Sequence, residues 1–224
     1  MSPTDTRRTL LLKLPLLSLA FTTSPPPQSA SAAPLPQQSS PYQRAFNLEY
    51  GLDASQRIRQ CPSGVNPNCV GSSSSNSSSS SSPAWETFSS SSFSFTSRRQ
   101  SPDEACDELE TALSSMEKDT AVVERTALDD GKNKVYVRFR IPDKAFKYDY
   151  LEFLIARQGS SDRSDGEPLL VTYRSMAAEV KYIYPFQVPI TDFGQQRKRI
   201  KALRSRLGWR IAGVCDLVEC YSEE

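Results

Sequence analysis

Cys61 and Cys69 are the side chains whose type and spacing point most directly to covalent chemistry. They enclose a Pro/Gly/Asn loop, Cys61-Pro62-Ser63-Gly64-Val65-Asn66-Pro67-Asn68-Cys69. Its prolines stiffen the chain and Gly64 permits a tight turn, so closure is easy. A disulfide there contributes roughly 2–3 kcal/mol in the loop-entropy model. Zinc is the competing reading. Two cysteines in a chain without histidine complete a tetrahedral site only with Cys106, Cys215 or Cys220. The disulfide is the expectation, and a redox-responsive protein switched by this pair is one functional reading.

A second constellation is rich in guanidinium groups. Arg138, Arg140, Glu152, Thr172 and Arg174, with Tyr136 and Tyr150, fall on one face of a sheet by strand alternation. Such a face can bind a carboxylate, a phosphate or an acidic protein surface. The plainer reading is solvated strand positions with cross-strand pairs such as Arg138 with Glu152. A third group, Arg197, Lys198, Arg199, Lys201, Arg204, Arg206 and Arg210, makes one helix strongly basic. It fits an anionic lipid surface, an acidic partner, or the solvated face of an amphipathic helix.

Catalysis is constrained by what is missing. The chain has 224 residues and no histidine. That removes the commonest general acid–base and every imidazole-dependent triad. An enzyme here would rest on a carboxylate or tyrosine, for instance Asp143, Asp149 or Glu152 near the arginines, and would need a deep pocket with convergent polar groups. The composition tilts against this, and no catalytic residue, metal or cofactor is assigned. Asp192-Phe193-Gly194 matches the kinase magnesium tripeptide, but no glycine-rich loop, strand lysine or catalytic loop accompanies it. It reads as helix capping.

These residues need elements to position them, and an address. Arg7 and Arg8 precede an apolar run to Phe21, and Ala30-Ser31-Ala32 follows. A charged start, a short apolar middle and a small-residue exit make a removable export signal, here twin-arginine-like, over 1–32. Lys13 and Pro15 break the apolar run, which is too short for a bilayer span, and no later segment is long or apolar enough. The mature chain is expected to be soluble. Net charge is +1, so no global field points to nucleic acid.

Residues 33–60 read as a disordered arm, 61–70 as the cysteine loop and 71–100 as a serine-rich low-complexity loop in which Trp85 can dock back. The folded part is expected over 101–220. Ser101 is a helix N-cap, and Ala105, Leu109, Ala112, Leu113 and Met116 form one apolar face to about Glu117. Cys106 on this helix reads as a small buried apolar side chain.

Strands are predicted over 120–128, 134–141, 150–157 and 168–176, with a hairpin turn at Asp129-Asp130-Gly131-Lys132-Asn133. Tyr182-Ile183-Tyr184-Pro185-Phe186 reads as a connection covering the core; exposed, it would mark a hydrophobic docking site. A second helix starts at Thr191-Asp192, with Phe193, Ile200, Leu203 and Leu207 on one stripe and Gly208 at its end. Ile211 to Val218 reads as a short final segment. The expected fold is α+β and two-layer: a four-stranded antiparallel sheet with two helices packed on one face, preceded by a disordered, serine-rich N-terminal region.

Several strings, taken in order, resemble one family: Cys61-Pro62 … Pro67-Asn68-Cys69-Val70, Tyr173-Arg174-Ser175-Met176-Ala177, Tyr182-Ile183-Tyr184-Pro185-Phe186, Asp192 … Gln196-Arg197 and Leu207-Gly208-Trp209. Together they are similar to the domain-of-unknown-function family DUF1499, most of all to its plant chloroplast members. The resemblance implies a thylakoid-lumen protein and supplies no catalytic residue. Such proteins carry a stromal transit peptide ahead of the lumenal signal, and only six residues precede Arg7. The expectation is therefore either a chain truncated at its start or a bacterial-type export substrate bound for the periplasm. The function expected is non-catalytic binding or assembly through the open, basic sheet face. The expected partners are a protein or anionic ligand of the thylakoid, with peripheral membrane contact and no nucleic acid.

Overall fold

The computed structural model describes residues 40–45, 47–62, 64–73, 80–87, 100–128, 133–158 and 168–213. All belong to one of the two units into which the chain divides, Gln38–Glu224; the other, Met1–Gln37, lies outside the described residues, and with it Arg7, Arg8, Ala30 and Ala32. Cys215, Cys220 and turn residues 129–132 lie outside as well. The elements in order are α1 (Pro41–Arg44), β1 (Cys69–Gly71), β2 (Trp85–Glu86), α2 (Pro102–Met116), β3 (Ala121–Leu128), β4 (Lys134–Asp143), β5 (Lys147–Arg157), β6 (Leu169–Ala177), β7 (Tyr182–Ile183), β8 (Val188–Pro189), α3 (Gln195–Leu207) and β9 (Arg210–Ile211).

α2 begins as its residue types dictate. Ser101 Oγ accepts the Glu104 N–H at 3.1 Å, and the Glu104 carboxylate accepts the Ser101 N–H at 2.9 Å. This reciprocal capping box satisfies two donors that a helix start leaves unpaired. Ala105, Cys106, Leu109, Ala112 and Leu113 are buried. α3 starts later than its sequence suggests. Phe193 and Gly194 take left-handed backbone angles, φ 54° and 79°, and the helix opens at Gln195. Asp192 still caps it, accepting the Gln196 N–H at 2.9 Å. Because Phe193 precedes the helix, it leaves the predicted apolar stripe and stands 87% exposed.

The four predicted strands are β3 to β6, an antiparallel meander. Three further short strands make the sheet seven-stranded. β1 and β2 share the second edge of β6, pairing Cys69–Gly71 with Arg174–Met176 and Trp85–Glu86 with Leu170–Val171, and β9 pairs with β2. Ser72 fills the gap between β1 and β2: its hydroxyl accepts the Tyr173 N–H at 2.8 Å, and its N–H donates to the Tyr173 carbonyl at 2.9 Å. Ser72 thus satisfies a stretch of sheet edge whose backbone groups would otherwise be unpaired, while residues 74–79 and 88–99 of the serine-rich loop lie outside the described residues.

Both helices pack on one face of the sheet. Leu109, Leu113, Ile200 and Leu203 meet Val135, Val137, Phe139, Phe153 and Val171, and Trp85, Tyr173 and Trp209 complete the core. Trp85 is 2% exposed, its ring centroid 4.4 Å from that of Tyr173.

The other face, expected to be open, is covered. Residues 47–62 cross it as an irregular third layer. Ile58 packs on Tyr136 and Leu154, while Cys61 and Cys69 pack on Met176 with Leu48 and Tyr50. The strands β4 to β6 alternate as their residue pattern predicts, but a face bearing Tyr136, Leu154 and Met176 holds enough apolar surface to bury when a neighbouring segment brings its own.

Candidate functional site

Glu152 and Arg174, expected on an open face, are 1% and 2% exposed. They are Cα partners across β5 and β6, and Arg174 donates from Nε to Glu152 Oε2 at 2.7 Å. Glu152 Oε1 accepts the Tyr136 hydroxyl at 2.8 Å and the Gly51 N–H. Arg174 also donates to the carbonyls of Glu49, at 2.9 Å, and Gln60, at 3.2 Å. The pair therefore clamps the arm onto the sheet. A buried charge pair survives when further hydrogen bonds satisfy its remaining polar atoms, as these do.

Arg138 and Glu152 are Cα partners across β4 and β5, yet their side chains do not pair. Arg138 instead meets Glu124 at 3.0 Å and lies over the rings of Tyr50 and Tyr150, 5.7 and 5.9 Å from their centroids. Arg140 is exposed and lies 4.8 Å from the Tyr148 ring centroid. Burial first, and then the neighbouring Tyr150, push the Tyr50 hydroxyl up to about 12. Tyr136 is pushed higher still, by burial and by the Glu152 charge.

Arg199, expected on the exposed basic helix, is buried. Its guanidinium donates to Asp149 Oδ2 and to Glu117 Oε1, each at 2.7 Å, and to Gln196 Oε1 at 3.2 Å. Gln196 also pairs with the Ser175 hydroxyl. This cluster locks α3 to β5, β6 and the end of α2. Burial raises the Asp149 carboxyl above its ordinary value, and the Arg199 charge pulls the other way. Arg197 remains exposed and donates to the Ser81 carbonyl at 3.2 Å. Both buried carboxylates pair with arginines, Glu152 with Arg174 and Asp149 with Arg199, while Asp149 Oδ1 is buried without a hydrogen-bond partner. Among the described residues, no group of three His, Cys, Asp or Glu side chains is placed to hold a metal ion.

Cys61 and Cys69 are joined by a disulfide. The loop they close carries two buried asparagines, Asn66 and Asn68, 3% and 1% exposed. Asn66 Nδ2 donates to the Ala177 carbonyl at 2.9 Å. Asn68 donates from Nδ2 to the Ile190 carbonyl at 2.9 Å and accepts the Asp192 N–H on Oδ1 at 2.7 Å. The cysteine loop therefore holds the far end of the β7–β8 hairpin. Tyr182 ties the near end, its hydroxyl donating to the Val65 carbonyl at 3.1 Å.

What the loop holds in place points outward. Tyr184 is 90% exposed, Phe186 78%, Val188 52% and Ile183 51%, and Phe193, ahead of α3, is exposed too. The hairpin expected to cover the core is instead an apolar, aromatic prong. Exposed apolar residues are common singly, and a cluster of this kind marks an interaction surface. The sequence reading missed the hairpin's supports, Asn66 and Asn68. A Pro-flanked pair of asparagines inside a closed loop was their one visible signal.

A cleft of about 720 Å³ opens beside the disulfide, lined by Arg44, Arg59, Arg174, Glu49, Leu48 and Cys61 among others.

Residues 57–207 match the family described as "Protein of unknown function (DUF1499)". The chain belongs to the DUF1499 family. A relative, the "Thylakoid lumenal 17.9 kDa protein, chloroplastic" of Arabidopsis thaliana, is 30% identical over 183 residues, covering 82% of this chain and 68% of the relative. No solved structure matches the chain. The DUF1499 match takes in the disulfide loop, the Glu152–Arg174 clamp, the aromatic hairpin and α3. The arm residues before Arg57, Tyr50 and Gly51 among them, precede it.

Proposed function

We propose that this DUF1499 chain is a non-catalytic docking protein of the thylakoid lumen, seated on a membrane surface by its aromatic hairpin. The observation that carries the reading is the exposure of Tyr184 and Phe186 on a hairpin held by the cysteine loop, with Phe193 exposed between that hairpin and α3 in the sequence. The lumenal address is supported by the export-signal pattern and by the printed name of the Arabidopsis relative. The commitment of Glu152 and Asp149 to buried arginines supports a role without catalysis. Among the described residues no helix is long and apolar enough to cross a membrane.

A bilayer is favoured by the chemistry around the prong. Lys181 stands at its base, where its carbonyl accepts the Ile190 N–H at 2.7 Å. Arg197 and Lys198, both exposed, lie within five residues of Phe193 in the first turn of α3. Aromatic rings settle at headgroup level, and cations near an anionic surface add roughly 1 kcal/mol each. Neither signal anchors firmly alone, whereas apolar insertion plus a basic patch does.

The test is flotation of the full chain with phosphatidylcholine vesicles, with and without phosphatidylglycerol. Flotation is expected with phosphatidylglycerol, weakened by salt, and lost on combining Tyr184→Ser, Phe186→Ser and Phe193→Ser. A chain that stays in the aqueous fraction, or a triple variant that floats unchanged, overturns the docking reading. Fractionation that leaves the protein in stroma or cytosol overturns the address.

A further inference from the structure

We infer that Cys61–Cys69 is a thiol–disulfide exchange site, the place where a dithiol reductant releases the aromatic hairpin from the body of the protein. Its effect on docking rests on the membrane reading of that hairpin; the exchange itself does not.

The hairpin has little hold of its own. None of residues 182–193 belongs to the buried apolar clusters of the described residues. β7 and β8 pair over two residues each, and a lone two-stranded hairpin is marginal in water. Three hydrogen bonds tie it to the cysteine loop. Asn68 Nδ2 donates to the Ile190 carbonyl, the Asp192 N–H to Asn68 Oδ1, and the Tyr182 hydroxyl to the Val65 carbonyl. Val65 and Asn68 lie inside the ring that the disulfide closes. Opening that ring returns chain freedom to these partners.

The two sulfurs differ in setting. Cys69, 3% exposed, opens β1 and is in register with Met176 on β6. Cys61, 7% exposed, ends the irregular arm and lines the cleft of about 720 Å³, a space that admits a small dithiol. Attack therefore falls on Cys61. A thiolate of the reductant attacks Cys61 Sγ, the bond between the two Sγ atoms breaks, and Cys69 leaves as a thiolate that takes a proton from water. The second thiol of the reductant, once deprotonated, displaces Cys61 from the mixed disulfide, and Cys61 is protonated in turn. The reductant ends oxidised to its own disulfide, and the chain holds two thiols.

The test uses the full chain carrying Cys215→Ser and Cys220→Ser, treated with dithiothreitol in the absence of denaturant and then with iodoacetamide. Alkylation of Cys61 and Cys69 is expected while Cys106, buried in the helix-facing core, stays unlabelled. After reduction the Asp192 amide is expected to exchange with solvent severalfold faster, and flotation on phosphatidylglycerol vesicles to fall severalfold. Labelling of Cys61 and Cys69 only in step with Cys106 means that reduction requires global unfolding, and it overturns the site. An Asp192 amide unaltered by reduction, or a reduced chain that floats as well as the oxidised one, overturns the release. An oxidised chain that never floats sinks the membrane reading alone, and labelling and amide exchange still decide the exchange site.

Discussion

Replacing Cys61 and Cys69 together by alanine tests whether the disulfide acts as the arm's anchor. Alanine is preferred to serine because both cysteines are buried against Met176, where a hydroxyl would carry its own penalty. The sequence separation of 8 closes a nine-residue loop. The chain-entropy relation then gives about 2.6 kcal/mol of lost stability at 25 °C. For a folded part of this size, that lowers the melting temperature by roughly 5–10 °C. Urea unfolding followed by fluorescence of Trp85 and Trp209 reads this loss from the far side of the sheet, where both rings lie in the helix-facing core.

The same variant should loosen the hairpin locally. The Asp192 amide donates to Asn68, so it should exchange with solvent faster than amides within α2. A loss below about 1 kcal/mol would contradict the constraint argument. An Asp192 amide protected as in the parent would contradict the link from loop to prong.

Two further outcomes follow from the covered face. Glu152→Gln leaves the Arg174 charge buried without its counter-ion and should cost about 3–5 kcal/mol, whereas Glu152→Met combined with Arg174→Met should cost less; equal losses would show that the pair is not a coupled unit. Alkaline pH should undock the arm. Tyr50 is held up to about 12 against an ordinary 10.0, with Tyr136 higher, so the folded chain keeps protons that the unfolded chain releases. That contribution is complete below pH 10 and declines as pH rises from about 10 towards 12. A phenolate absorbance titration in which every tyrosine ionises near its ordinary value in the folded chain would refute the packing of Tyr50 and Tyr136.

The sheet's inner architecture was legible because it rests on periodic signals. Ser101 and the spacing of Ala105, Leu109, Ala112 and Leu113 mark α2, and strand alternation puts Tyr136, Arg138 and Arg140 on one face of β4. β1, β2 and β9 carry two or three residues each, too few for any period to register. The covering arm was hidden for a related reason. Leu48, Tyr50, Leu52 and Ile58 bury themselves from irregular backbone, where spacing says nothing about facing.

Arg199 could have been placed. It lies four residues before Leu203 and three after Gln196, on the buried stripe of α3, and its charge argued misleadingly for solvent. Phe193 fell off that stripe because the helix starts two residues beyond it. The candidate site shifted accordingly, from charged strand positions that turned out to be clamps to an aromatic prong whose exposure no composition reveals.

The most direct test of membrane docking is depth. Phe186→Trp places a reporter at the prong's tip, and vesicles containing phosphatidylglycerol with brominated acyl chains quench only indoles that reach the hydrocarbon boundary. Docking predicts strong quenching of the new tryptophan beyond that of the parent chain, whose Trp85 and Trp209 are buried in the core. Emission that stays unquenched while vesicles and protein are together would contradict it.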